Sequence, residues 1–157
     1  MECVNLNFMS NTLLLKQLES VLSIATDSVA NMANMSAVLF HGLPGLNWVG
    51  FYVLRGNELI LGPFQGKPAC VKIVLGRGVC GTAAQTGQTQ VVQNVHKFPG
   101  HIACDSASNS EIVVPIFKNG AVWGVLDVDS PTLARFTEND KALFEQAVQI
   151  FVEKTNL

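Results

Sequence analysis

Asn47-Trp48-Val49-Gly50-Phe51-Tyr52-Val53-Leu54-Arg55-Gly56-Asn57-Glu58-Leu59-Ile60-Leu61 decides the fold class. Side chains alternate along an extended chain, so Trp48 and Tyr52 share one face of a strand running from Asn47 to Leu54. Arg55-Gly56-Asn57 breaks that run with turn chemistry and Glu58 to Leu61 resumes it, which makes an antiparallel hairpin. Upstream the period is helical. Leu14, Leu18, Val21 and Leu22 mark one stripe between residues 11 and 42, Val29, Met32, Ala33 and Leu39 mark a second, and Asp27 is placed to restart a helix between them. Downstream, Cys70–Leu75 and Thr89–Gln93 read as further strands, separated by a short helix over Val79–Thr86 that Gly78 opens. Glu111–Lys118 and Ala121–Asp129 form a second hairpin around Asn119-Gly120. Thr137, with Asp140 three residues on and Leu143, Phe144, Ala147, Val148 and Phe151 beyond, opens a closing helix. Helices, antiparallel strands and a final helix argue an α+β fold, its sheet covered by helices on one face and leaving a loop-roofed pocket on the other.

The chain has 157 residues, the size of a single domain spanning 1–157. Within it the helical segment covers about 11–42, the sheet and pocket about 47–130 and the closing helix about 137–155. Charged residues make up 14% and the formal net charge is -2, so no basic field is available to hold nucleic acid or anionic lipid. The opening residues carry Glu2, no basic segment and no apolar run long enough for a signal or a spanning helix, so a cytoplasmic location is expected. A standing disulfide framework is disfavoured there, and four cysteines then point to catalysis, metal binding or coincidence.

Three of the four stand in glycine-punctuated, loop-like stretches: Cys70 after Gly66-Lys67-Pro68-Ala69, Cys80 between Gly78 and Gly81, and Cys104 in the polar run 99–106. Such placement suits a reactive thiol, which needs solvent access and polar surroundings. The long segment 94–110 has the length of a functional loop. Asp127 and Asp129 share a strand face with Trp123 and Val125, either as a working carboxylate pair or as a solvated strand end. Trp48 is an aromatic wall or an ordinary core tryptophan. A metal module built from Cys70, Cys80, His96, His101 and Cys104 has suitable ligand types, but no CxxC pair anchors it, and neither metal nor cofactor is expected. By default His96 and His101 are exposed loop histidines, Arg77 a solvated side chain and Cys3 an incidental thiol.

The blocks Asn47 to Tyr52, Leu61 to Gly66, Gly76-Arg77-Gly78-Val79-Cys80-Gly81-Thr82-Ala83, Gly100-His101-Ile102-Ala103-Cys104-Asp105, Ser110 to Ile116 and Gly124-Val125-Leu126-Asp127-Val128-Asp129-Ser130 closely resemble the free methionine-(R)-sulfoxide reductases, enzymes built on a GAF domain. The resemblance implies a GAF-like fold and an oxidoreductase acting on free methionine-(R)-sulfoxide. It makes Cys104 the catalytic cysteine, Cys70 the resolving one and Cys80 a third of secondary importance. Trp48 and Tyr52 fall around the substrate's methyl and sulfur, and Glu111, Asp127 and Asp129 in the polar half of the pocket. It further implies a homodimer and a thioredoxin-type reductant. The chemistry fits these residue types: a thiolate attacks the sulfoxide sulfur and becomes a sulfenic acid, which a second thiol condenses to a disulfide. A sulfoxide needs its oxygen protonated or strongly hydrogen-bonded, and crowded carboxylates raise at least one pKa enough to supply that proton. The same acids attract a free ammonium. A non-catalytic GAF-type small-ligand or redox sensor is the alternative, since function belongs to the site and not to the scaffold.

The register of the second hairpin stays open. A strict two-residue loop at Asn119-Gly120 pairs Lys118 with Ala121 and sets Glu111 opposite Val128, away from the two aspartates. A three-residue loop with a bulge at Gly120 sets Glu111 opposite Asp127 and gathers all three acids. The functional reading predicts the second register or a comparable irregularity.

Overall fold

The computed structural model describes residues 10–102 and 105–157. Two helices come first. α1 (Asn11–Leu22) starts at Ser10, whose side chain accepts from the Leu13 amide, and α2 (Ser28–Gly42) starts at Asp27, whose carboxylate accepts from the Ala30 amide at 2.8 Å. β1 (Trp48–Arg55) and β2 (Glu58–Gly66) follow as a hairpin, then β3 (Lys72–Val74), α3 (Gly78–Thr86) and β4 (Gln90–Val92). β5 (Ser110–Lys118) and β6 (Ala121–Ser130) form the second hairpin, and α4 (Glu138–Lys154) closes the chain behind the capping box of Thr137 and Asp140. The six strands make one antiparallel sheet in the order β3-β2-β1-β6-β5-β4.

Alternation along the central strands sorts side chains onto two faces. Val49, Phe51, Val53, Ile112, Val114, Ile116, Leu126 and Val128 pack with residues of α1, α2 and α4 in the larger core. Trp48, Tyr52, Val113 and Val125 face the other way, into a smaller cluster completed by α3 through Val79, Cys80, Ala83 and Ala84. The pocket face is thus not covered by loops alone, because α3 lies on it. Asn31, buried in α2, donates to the Leu22 and Ala25 carbonyls and to Thr155 Oγ1, tying the α1–α2 turn to the end of α4.

Two irregularities position the site. β2 runs past Leu61 to Gly66, with a shift against β1 between Gly50 and Tyr52. The extra residue falls at Gly62-Pro63, where proline's missing N–H would break a regular ladder. At the second hairpin both Asn119 (φ 52°) and Gly120 (φ 79°) are left-handed, which is the two-residue type I′ turn, and Lys118 pairs with Ala121. The ladder then shifts: Phe117 pairs with Val122 and Ile116 with Gly124, leaving Trp123 as the bulged residue. The irregularity that gathers the acids is therefore in β6 and not in the turn. Glu111 lies opposite Asp129, and Asp127 opposite Val113, in place of the expected Glu111–Asp127 pair. Trp123 also leaves the face of the aspartates and packs its ring on Phe151 of α4, 6.1 Å between centroids, because the bulge turns it over.

Candidate functional site

β1 supplies the aromatic wall. Trp48 stacks between Phe64 (centroids 5.1 Å apart) and Tyr52 (6.0 Å), and it lies over Gly50. A Cβ at Gly50 would sit 2.3 Å from that of Phe64 and 2.6 Å from the indole, so the wall requires glycine there. Each aromatic also uses its polar tip. Trp48 Nε1 donates to the Lys67 carbonyl at 3.1 Å and Tyr52 Oη to the Cys70 carbonyl at 3.0 Å. The segment from Gly66 to Val71 is thereby strapped across the wall, with Cys70 half-buried at its end. Cys70 is disulfide-bonded.

Beside the wall stand the acids. Asp129 lies between Trp48 on β1 and Glu111 on β5, and Asp127 between Gly50 and Val113, so the sheet register sets three carboxylates on one face. Glu111 and Asp127 are buried and Asp129 half-buried. Burial, then the charges of Asp127 and Asp129, pushes Glu111 well above the usual carboxylate range. Asp129 rises likewise through burial and then the charge of Asp127. Asp127 is pushed up by burial only to about 6, because hydrogen bonds from Cys80, Glu111 and the Val128 amide favour its anion. All three acids thus hold their protons above the usual carboxylate range, which gives the pocket a proton donor. Asp127 Oδ1 is buried without a hydrogen-bond partner among the described residues.

Cys80 corrects an expectation. It is not a solvent-accessible loop thiol but a 4% exposed residue of α3, and burial followed by the charges of Asp127 and Glu111 holds its thiol well above its ordinary value. Gly81 marks helix packing here, since a Cβ on it would meet the Val74 carbonyl at 2.5 Å, whereas Gly78 opens the helix with a left-handed φ of 62°. His101 and Arg77 line the pocket, although the sequence had left both to solvent. Arg77 is exposed at its mouth, and His101 is half-buried, its pKa lowered by burial and then by His96. His96 is held away from the pocket's acids by Asn109, 2.8 Å from its Nε2. The cavity that these side chains line is small, about 40 Å³, and it is open to solvent at one side.

The parts played by Asn47, Lys67, Asp105 and Ser108 escaped the sequence reading. Asn47 donates to Asp105 Oδ2 at 3.1 Å and to Ser108 Oγ at 3.0 Å, and Lys67 reaches Asp105 at 3.8 Å. The Ala107 amide, the Asn47 amide and Lys67 together hold Asp105 below the usual carboxylate range against its desolvation. These contacts fasten residues 105–108 to both the wall and the strap. Their only sequence signal is proximity to Trp48 and to Cys104. Cys104 and Cys3 lie outside the described residues.

A GAF-domain model matches residues 17–152. Over 123 residues, covering 78% of this chain and 74% of the relative, the chain is 53% identical to the free methionine-R-sulfoxide reductase of Escherichia coli. The chain belongs to this GAF-domain reductase family. Solved family structures superpose over nearly the whole chain. Reduced fRMsr of Staphylococcus aureus is 52% identical, with TM-score 0.91 over 99% of this chain and all of that one. The Neisseria meningitidis free methionine-R-sulfoxide reductase, solved with its substrate, is 47% identical, with TM-score 0.89 over 92% of this chain and 87% of that one. The fold that the family resemblance implied is thus the fold observed.

Proposed function

We propose that the chain reduces free L-methionine (R)-sulfoxide to methionine, and the observation that carries this is the gathering of three carboxylates with raised pKa, Glu111, Asp127 and Asp129, on one sheet face beside a stacked Trp48–Tyr52 wall. Such a pocket suits a small zwitterion with a thioether-like end. The ammonium pairs with Asp127, the methyl and sulfur lie on the indole, where a sulfur–aromatic contact is worth about 0.3–1.5 kcal/mol, and a neutral carboxyl donates to the sulfoxide oxygen. In this reading the Cys104 thiolate attacks sulfur, oxygen passes to the cysteine as a sulfenic acid, and methionine leaves. Cys70 then attacks that sulfenic acid, forming a Cys70–Cys104 disulfide and releasing the oxygen as water.

The disulfide-bonded state of Cys70 and its strapping by Tyr52 support a resolving part for this residue. The buried, proton-holding thiol of Cys80 argues a secondary one. A thioredoxin-type reductant would reopen the disulfide, and the family resemblance implies a homodimer. No described helix is long and apolar enough to cross a membrane. The mechanism is tested by single-turnover assay with mass-spectrometric mapping. Cys104→Ser should release no methionine, and Cys70→Ser should release one equivalent per chain without recycling. Oxidised wild type should yield a Cys70–Cys104 peptide. A Cys80–Cys104 peptide in its place would reassign the resolving residue.

A further inference from the structure

The pocket also brings three donor atoms to metal-ligand spacing. Cys80 Sγ, a Glu111 oxygen and an Asp127 oxygen lie within 4.8 Å of one another, and all three residues are buried. They come from α3, β5 and β6, so their spacing is set by packed elements and not by one loop. One observation points to a ligand: Asp127 is 6% exposed, and its Oδ1 is buried with no hydrogen-bond partner among the described residues. Cys80 Sγ donates to Glu111 Oε1 at 3.9 Å, a separation close to the roughly 3.5 Å between a sulfur and an oxygen ligand on tetrahedral zinc, with bonds of about 2.3 and 2.0 Å.

We infer that Cys80, Glu111 and Asp127 form a binding site for a borderline-soft divalent cation, zinc foremost, inside the substrate pocket. One thiolate with two carboxylates suits zinc, whereas magnesium and calcium take oxygen ligands throughout. On binding, the Cys80 thiol and any protonated carboxyl release their protons to solvent, and no group changes oxidation state. Three protein ligands leave a fourth position for water or a further donor. Cation and substrate would claim the same carboxylates, so zinc would inhibit turnover in competition with methionine sulfoxide. That consequence rests on the reductase reading, while the site itself rests on the geometry.

Cobalt(II) is the probe. In protein carrying Cys3→Ser, Cys70→Ser and Cys104→Ser, Cys80 is the sole thiol. One equivalent of cobalt should produce a near-ultraviolet thiolate charge-transfer band that zinc displaces. Adding Cys80→Ser should abolish the band, and adding Asp127→Asn should weaken binding at least about tenfold, a size already reached by losses one shell further out. No band in the Cys80-only protein, or an affinity untouched by Asp127→Asn, overturns the site. A second measurement needs no variant: zinc should protect Cys80 of reduced wild-type protein from alkylation, and equal labelling with and without zinc overturns the proposal. Free methionine sulfoxide should displace the cobalt. If cobalt binds as described and is not displaced, the cation site stands and the reductase reading of this pocket fails.

Discussion

A carboxylate held away from water with one oxygen unpartnered destabilises the fold that holds it, and Asp127 is in that position among the described residues. Its carboxyl titrates at about 6 in the fold against an ordinary 3.8. Between those values the folded chain binds more protons than the unfolded one, so the contribution of Asp127 to stability falls as pH rises through that window and stays unfavourable above it. Asp127→Asn should therefore stabilise the protein at pH 7, by on the order of 1–3 kcal/mol, with the gain vanishing towards pH 4. Denaturant unfolding across that range checks the sign, and a variant less stable than wild type at pH 7 contradicts it. The same substitution should lower kcat/KM for free methionine sulfoxide about ten- to a hundredfold, the worth of one charge-assisted hydrogen bond. The acids were legible as candidates in the sequence because Asp127 and Asp129 stand two apart on an apolar strand. The smaller rise of Asp127 was not, since it depends on hydrogen bonds from Cys80, Glu111 and the Val128 amide.

At the scale of elements, β1 is the organiser, and most of what it does was readable. Its hairpin, the restart at Asp27 and the capping box at Thr137 all follow from local chemistry that the structure repeats. The bulges were not readable. Ile112 to Phe117 is apolar on both faces, so no pattern chooses among registers, and only tertiary packing of Trp123 on Phe151 identifies the residue that turns over. Cys80 was misjudged for a related reason: glycines flanking a cysteine read as a loop, but here Gly81 lets α3 approach the backbone of Val74 and Gly76. The strap from β1 to Cys70 has a consequence of its own. Tyr52→Phe removes the bond to the Cys70 carbonyl while keeping the ring in the wall. It should leave methionine release in the first turnover near wild type and slow disulfide formation several-fold, as read by quenched-flow thiol counting. Equal slowing of both steps would mean that the hydroxyl serves the substrate and not the strap.

For the whole molecule, two cores back to back divide the labour. The face packed by α1, α2 and α4 holds the sheet, and the face under α3 is free to keep a polar pocket. An enclosed pocket with an anionic Asp127 should refuse methionine sulfoxide within a peptide, whose amide nitrogen carries no charge and whose neighbours find no room. N-acetylation tests the charge with little added bulk and should lower kcat/KM about ten- to a hundredfold, with a longer peptide lowering it further. Comparable rates on all three substrates would indicate an open thiol site. The central claim meets its most direct test in an assay of the reduced wild-type protein with the separated R and S sulfoxide epimers of free methionine, following methionine formed and thiol consumed. The account predicts methionine from the R epimer alone, with two thiols lost for each methionine. Reduction of neither epimer, or of both at similar rates, would contradict it.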